Sequence, residues 1–173
     1  MSASTGPRPA RLHHHAFVVA DQERTRRFYE DVIGLPLVDT WCEHDEAGAY
    51  CHTFYELADG ACLAFFQFAD PAVQAANATP SSSVYDHVAL WATPEVQAAI
   101  AARAEATGTP ALTIDHGYCT SLYVPDPDGL IVEVTVDHPA AVDAAPQRRT
   151  QAHAELRRWL AGDHADNNSY RAH

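Results

Sequence analysis

The sequence predicts an α+β fold in which two tandem βαβββ modules pair into one barrel-like mixed sheet, followed by a C-terminal helix. Landmarks recur at a near-constant offset: His14 to His87 and Asp21 to Pro94 are 73 residues apart, Gly34 to Gly108 is 74 and Gly60 to Gly129 is 69. A repeat of this kind marks a duplicated unit. Each copy opens on strand-like alternation, passes to a helical period and returns to strands. A four-stranded unit exposes an apolar face that it cannot bury alone, so two such units can pair around a shared concave surface where a ligand would sit.

In the first module, residues 12–19 read as a strand and 21–33 as a helix, with Asp21 as N-cap, Phe28, Tyr29, Val32 and Ile33 as an apolar stripe, and Gly34 with Pro36 as terminators. Strands follow at 37–42, 50–57 and 61–68, the last two joined by Ala58-Asp59-Gly60. A polar stretch rich in Ala, Pro and Ser reads as linker. The second module has a strand at 84–91 and a helix at 94–106, with Pro94 in the first turn, Val96, Ala99, Ile100 and Ala104 on one side, and Gly108 as terminator. Strands at 111–115, 118–124 and 130–136 complete it, with Asp126-Pro127-Asp128-Gly129 as a tight turn. The expected layout is a single domain over 11–137, built of modules 11–69 and 84–137 with linker 70–83. A C-terminal extension over 138–173 carries one helix at about 147–160, docked through Leu156, Trp159 and Leu160.

With 173 residues, 47% of them hydrophobic, the chain suits one domain with a core. Its net charge is -12 and its basic residues, all Arg, are scattered, which excludes nucleic acid and anionic membranes as partners and leaves a small molecule. Cys42, Cys51, Cys62 and Cys119 form no CxxC pair and no signal peptide is evident, so reduced thiols and a cytoplasmic protein are expected. His153, His164 and His173 lie in a polar tail and read as solvated.

The strand polar residues carry the chemistry. His14 and His87 hold equivalent positions, and strand alternation puts His14, Ala16 and Val18 on one face, and His87, Ala89 and Trp91 on one face. Glu133 lies in the apolar run Leu130-Ile131-Val132-Glu133-Val134, where an ionised carboxylate is costly unless paired or metal-bound. Two imidazoles and a carboxylate form the facial set that leaves coordination positions open and suits non-haem Fe(II), with Mn(II) as a close substitute. The competing reading is that all three are hydrogen-bonded structural residues.

Over about residues 12–136 this arrangement resembles the vicinal oxygen chelate superfamily, which includes extradiol ring-cleaving dioxygenases, glyoxalase I, epimerases and antibiotic-resistance proteins. The resemblance assigns the first metal His to His14, whose spacing to Asp21 fits better than that of His15. Within the superfamily, His116, Leu122-Tyr123, Asp126-Pro127-Asp128-Gly129 and Glu133 are similar to the type I extradiol dioxygenase signature. The turn-to-Glu part is shared widely; His116 and Leu122-Tyr123 are the specific part.

The resemblance implies a metal set of His14, His87 and Glu133, with His116, Tyr123 and His52 as catalytic groups, Fe(II) as cofactor, and a catechol-type substrate cleaved with O2. A homodimer is implied on the same ground alone. The module-one counterpart of Glu133 is Ala64, which supplies no fourth ligand and departs from glyoxalase I. His52 does not align cleanly with the family pattern, and a structural role competes with the catalytic one. Trp41, Phe54, Tyr55, Phe66 and Trp91 are candidates for a ring-sized pocket or for core. The alternative functions are a metal-dependent glyoxalase-like lyase, isomerase or epimerase, and a non-catalytic drug-binding resistance protein.

Overall fold

A computed structural model describes residues 6–78, 83 and 85–170. The element order is β1 (His14–Val18), α1 (Gln22–Arg26, continuing as a wider π-helical turn over Arg27–Ile33), β2 (Leu37–Asp45), β3 (Gly48–Glu56), β4 (Cys62–Phe68), α2 (Pro71–Asn77), β5 (His87–Trp91), α3 (Pro94–Thr107), β6 (Leu112–Asp115), β7 (Cys119–Pro125), β8 (Ile131–Asp137) and α4 (Pro139–Leu160). The α+β class and the two βαβββ modules are as expected. The strands pair into two four-stranded sheets, β1-β4-β3-β2 and β5-β8-β7-β6, rather than one barrel-like sheet. By contacts the chain forms two compact units, one running to Ser83 and including Asp126–Leu130, the other comprising the rest.

In the first unit β1 runs parallel to β4, and β3 is antiparallel to both β4 and β2. Asp21 caps α1, its Oδ1 accepting from the backbone of Glu23 and Arg24 at 2.8 and 3.0 Å. Gly34, at φ +87°, takes the left-handed position that ends the helix, where a side chain would be strained. The stripe Phe28, Tyr29, Val32 and Ile33 is buried, as are Tyr55, Leu63 and Phe65 of the sheet, and Tyr29 packs on Tyr55 and Phe65. Gln22 clips the helix to the sheet by donating to the Phe65 carbonyl at 2.8 Å and accepting from Thr53 Oγ1 at 2.9 Å.

The second unit repeats the topology, with β5 parallel to β8 and β7 antiparallel to β8 and β6. Gln97 of α3 plays the part of Gln22, donating to the carbonyls of Thr120 and Val134 at 2.9 and 2.7 Å. Of the four residues expected on the buried side of α3, Ile100 and Ala104 are buried, whereas Val96 and Ala99 are exposed.

Three expectations need correction. The region read as linker contains α2, started by Asp70, which accepts from the backbone of Ala72 and Val73, with Pro71 at the first position. Its Gln74 donates to the Val19 carbonyl at 2.9 Å, which ties the helix to the end of β1. The rest of that linker, 79–82, and Val84, the expected strand start, lie outside the described residues. Second, α4 begins at Pro139 and runs through Pro146. Third, its Leu156, Trp159 and Leu160 are exposed, so they are not docked on the sheet. Among the described residues no helix is long and apolar enough to cross a membrane.

The turn Asp126–Leu130 lies between β7 and β8 in sequence but folds with the first unit. Buried Asp126 accepts from Tyr29 Oη at 3.1 Å and from the backbone of Asp128 and Leu130, each at 2.9 Å. Asp128 in turn accepts from the Ala20 backbone at 3.0 Å. The Asp-Pro-x-Gly motif is thus a structural peg. Replacing Asp126 by Ala removes the acceptor of one buried and two part-buried donors and should cost about 2–4 kcal/mol in urea unfolding. Asp126→Asn keeps an acceptor for the two backbone donors and should cost clearly less. Burial outweighs the hydrogen bonds and holds the Asp126 carboxyl above its ordinary value. The native state therefore keeps its proton longer than the unfolded chain, so stability should fall as pH rises from the ordinary aspartate range through the raised one. The Asn variant should lack that slope.

Candidate functional site

The two sheets share one register. His14 pairs with Cys62 and Ala16 with Ala64 in the first; His87 pairs with Ile131 and Ala89 with Glu133 in the second. On the next strand Phe54 lies opposite Ala64 and Tyr123 opposite Glu133. His14, Ala64 and Phe54 are therefore the positional counterparts of His87, Glu133 and Tyr123. This bears out Ala64 as the residue standing where a carboxylate stands in the other module.

In the second unit four of the six candidates form one hydrogen-bonded chain. Glu133, 7% exposed, sits on β8 with its Oε2 2.9 Å from His87 Nε2 on β5. Its Oε1 accepts from Tyr123 Oη on β7 at 3.1 Å. Tyr123 Oη is also 2.8 Å from His116 Nε2, on the loop between β6 and β7. If the phenol proton goes to the carboxylate, the free lone pair on Tyr123 takes a proton from His116, which fixes its Nε2–H form. Burial, followed by the Glu133 carboxylate, pushes the Tyr123 phenol up, so it stays protonated at neutral pH.

Next to this chain, Ser121 Oγ donates to Thr135 Oγ1 at 3.2 Å and lies 3.6 Å from Cys119 Sγ. The sequence reading missed this polar ladder. Its signal was the alternation Cys119-x-Ser121-x-Tyr123 along β7, which puts three polar side chains on the face that carries Glu133.

The first unit carries His14 and His52. Their ring centroids are 6.2 Å apart, and each also packs on Phe54, at 5.8 and 4.2 Å. His52 stacks on Phe66 at 3.7 Å, is 9% exposed, and its Nε2 is buried with no hydrogen-bond partner. Burial, with the neighbouring His14, holds its pKa below the ordinary value. His14 Nδ1 lies 2.7 Å from Nδ1 of His13, a partner the sequence reading did not consider. His15 turns to the other face and packs on Phe17 at 4.2 Å, as strand alternation requires. Of the pocket aromatics, Tyr55 belongs to the helix-side core, Phe54 and Phe66 sit beside His52, and Trp41 and Trp91 are largely exposed.

His14 thus lies in one unit and His87 and Glu133 in the other. Among the described residues no group of three or more His, Cys, Asp or Glu side chains is placed to hold a metal ion. His87 and Glu133 bring an imidazole nitrogen and a carboxylate oxygen within 2.9 Å of each other, the donor types that divalent first-row ions take.

Residues 11–134 match the family model of the Glyoxalase/Bleomycin resistance protein/Dioxygenase superfamily. No curated protein matches the sequence significantly. Among solved structures the fold is similar to that of a provisionally assigned dioxygenase from Bacillus subtilis, at 21% identity and a TM-score of 0.57 over 73% of this chain; the match spans only 40% of the length of the Bacillus protein. It is also similar to the fosfomycin resistance protein FosX of Listeria monocytogenes, solved with Mn(II) and sulfate, at 16% identity and a TM-score of 0.57 over 78% of this chain and 98% of that one. A third similar structure is lactoylglutathione lyase from Agrobacterium tumefaciens, at 21% identity and a TM-score of 0.54 over 75% of this chain and 95% of that one.

Proposed function

Because the chain belongs to the Glyoxalase/Bleomycin resistance protein/Dioxygenase superfamily, we propose that it is an extradiol dioxygenase opening a catechol-type ring with O2, its Fe(II) held by His14, His87 and Glu133. The observation that carries this reading is the chain His116–Tyr123–Glu133–His87. It joins two of the proposed ligands to a phenol and an imidazole, the donor and proton-transfer groups that ring opening needs. When bound, Fe(II) supplies a centre that gathers the diol and O2 and passes electron density between them. Mn(II), the ion in the FosX structure, is a chemically close substitute.

The protein's own groups do the rest. Glu133 accepts from Tyr123 and holds that phenol in place; His116 fixes its second lone pair. Tyr123 then stabilises oxyanion charge that develops on the substrate. His52 brings a buried, unpartnered Nε2 on an aromatic shelf, a base that takes a catechol proton and returns it to the leaving oxygen. Its depressed pKa keeps it neutral, and therefore basic, at pH 7. Phe54 and Phe66 flank it with surface suited to an aromatic ring.

Protein reconstituted anaerobically with Fe(II) is expected to consume O2 and release an equal amount of a yellow ring-opened product. Suitable substrates to screen are catechol, 3-substituted catechols, 3,4-dihydroxyphenylalanine and 2,3-dihydroxybiphenyl. No O2 uptake with any diol, together with turnover of the methylglyoxal–glutathione hemithioacetal under Zn(II) or Ni(II), would replace this reading with the lyase one.

A further inference from the structure

All four cysteines are free, and two of them face each other. Cys42 on β2 and Cys51 on β3 are directly opposed in the β2–β3 ladder. The kind of pair follows from the neighbouring ladder. The Ala69 backbone donates to the Ala49 carbonyl opposite it at 2.9 Å, so the odd-numbered residues of β3 direct their backbone groups to β4 and the even-numbered ones to β2. The Glu56 backbone, donating to the Pro36 carbonyl at 3.0 Å, follows the same alternation. Cys42 and Cys51 therefore form a non-hydrogen-bonded pair, the type in which opposed Cα atoms lie about 4.5 Å apart and side chains are closest. That separation falls inside the range of roughly 4.4–6.8 Å that a disulfide spans without moving the backbone.

We propose that Cys42 and Cys51 are a reversible dithiol/disulfide couple, oxidised by hydroperoxides, in which exposed Cys42 is attacked first and Cys51 resolves it. In the first step the Cys42 sulfur attacks the peroxide, the O–O bond breaks, and Cys42 sulfenic acid and an alcohol (water, from hydrogen peroxide) are formed. In the second, Cys51 sulfur attacks the sulfenic sulfur, the S–O bond breaks, and water leaves as the disulfide forms. Two thiols lose two electrons and two protons; the peroxide takes up both. A thiol reductant reverses the reaction by exchange.

The order of events has a physical basis. Cys42 is exposed and Cys51 is part-buried. Burial and its neighbour Cys42 push the Cys51 thiol up, so it is the less reactive towards peroxide and the natural second partner. Cys62 on β4 lies opposite His14 and Glu56, and Cys119 on β7 lies opposite Asp137, so neither has a cysteine across the ladder. Cys51 adjoins His52 but points to the opposite face of β3, so closing the bridge leaves the imidazole untouched.

The test treats the reduced full-length protein with one equivalent of hydrogen peroxide and counts thiols. The four free thiols should fall to two, the mass should drop by two hydrogens, and the protein should stay monomeric on non-reducing gels to the extent it was before. Cleavage after Glu46, which lies between the two cysteines, should leave their peptides joined until reductant is added. In C51S, dimedone should trap a sulfenic acid on Cys42, and in C42S the fast phase of thiol loss should slow by tenfold or more. Four thiols remaining, a bridge involving Cys62 or Cys119, a bridge between chains, or dimedone adducts on Cys51 in C42S at the wild-type rate would each overturn the proposal.

Discussion

Glu133→Ala is expected to lower iron affinity on the order of 10²-fold or more while the protein stays folded. The carboxylate is buried and both its oxygens are engaged, one with His87 and one with Tyr123, so alanine removes the charge and both contacts together. Folding should survive, because the equivalent register position in the first sheet is already an alanine: Ala64 lies opposite Ala16 as Glu133 lies opposite Ala89, and it packs fully buried. Glu133→Gln makes the test sharper. The amide can still accept from Tyr123 and meet His87, but it brings no charge, so a structural carboxylate would tolerate the change and a ligand would not. Elemental analysis after anaerobic reconstitution reads the result. Iron retained in full by Glu133→Ala removes Glu133 from the site. His15→Ala serves as the control and should bind iron as the wild type does, since His15 packs on Phe17 on the opposite face.

Much of this site was legible because strand geometry is periodic. The offset between modules placed His14 against His87 and Ala64 against Glu133, and the two pairing registers agree with it residue by residue. The resemblance chose His14 over His15 by its spacing to Asp21, and strand alternation turns His15 to the opposite face, where it packs on Phe17. What the sequence did not yield depends on distances between strands that are remote along the chain. The Tyr123–Glu133 and Tyr123–His116 bonds need the register of β7 with β8 and the path of the loop before β7. The burial of His52 depends on Phe66 stacking across from the neighbouring strand. Composition misled at α2, where Ala, Pro and Ser suggested linker although Asp70-Pro71 is an N-cap followed by a first-turn proline. The C-terminal helix begins at Pro139 rather than at about 147, and it carries Pro146 inside it.

Tyr123→Phe and His116→Ala should each keep iron and slow turnover, by about 10²-fold for Tyr123 if its hydroxyl touches the reacting oxygens. The phenol oxygen is bonded to both Glu133 and His116. Removing it leaves the carboxylate with His87, so the proposed ligands keep their contact and KM should change less than kcat. His116 acts through Tyr123, as a positioning residue: without its ring the hydroxyl loses the partner that holds its second lone pair and can rotate away from Glu133. Two residues acting in series should be strongly non-additive. The double variant His116→Ala/Tyr123→Phe is therefore expected to be no slower than Tyr123→Phe alone, within a factor of about three given the scatter usual in coupled sites. Single-turnover rates with pre-bound catechol, measured alongside iron content, separate the outcomes. Losses that multiply in the double variant would mean that His116 meets the substrate independently of Tyr123, and loss of iron in Tyr123→Phe would mean that the hydroxyl sustains the metal site rather than the chemistry.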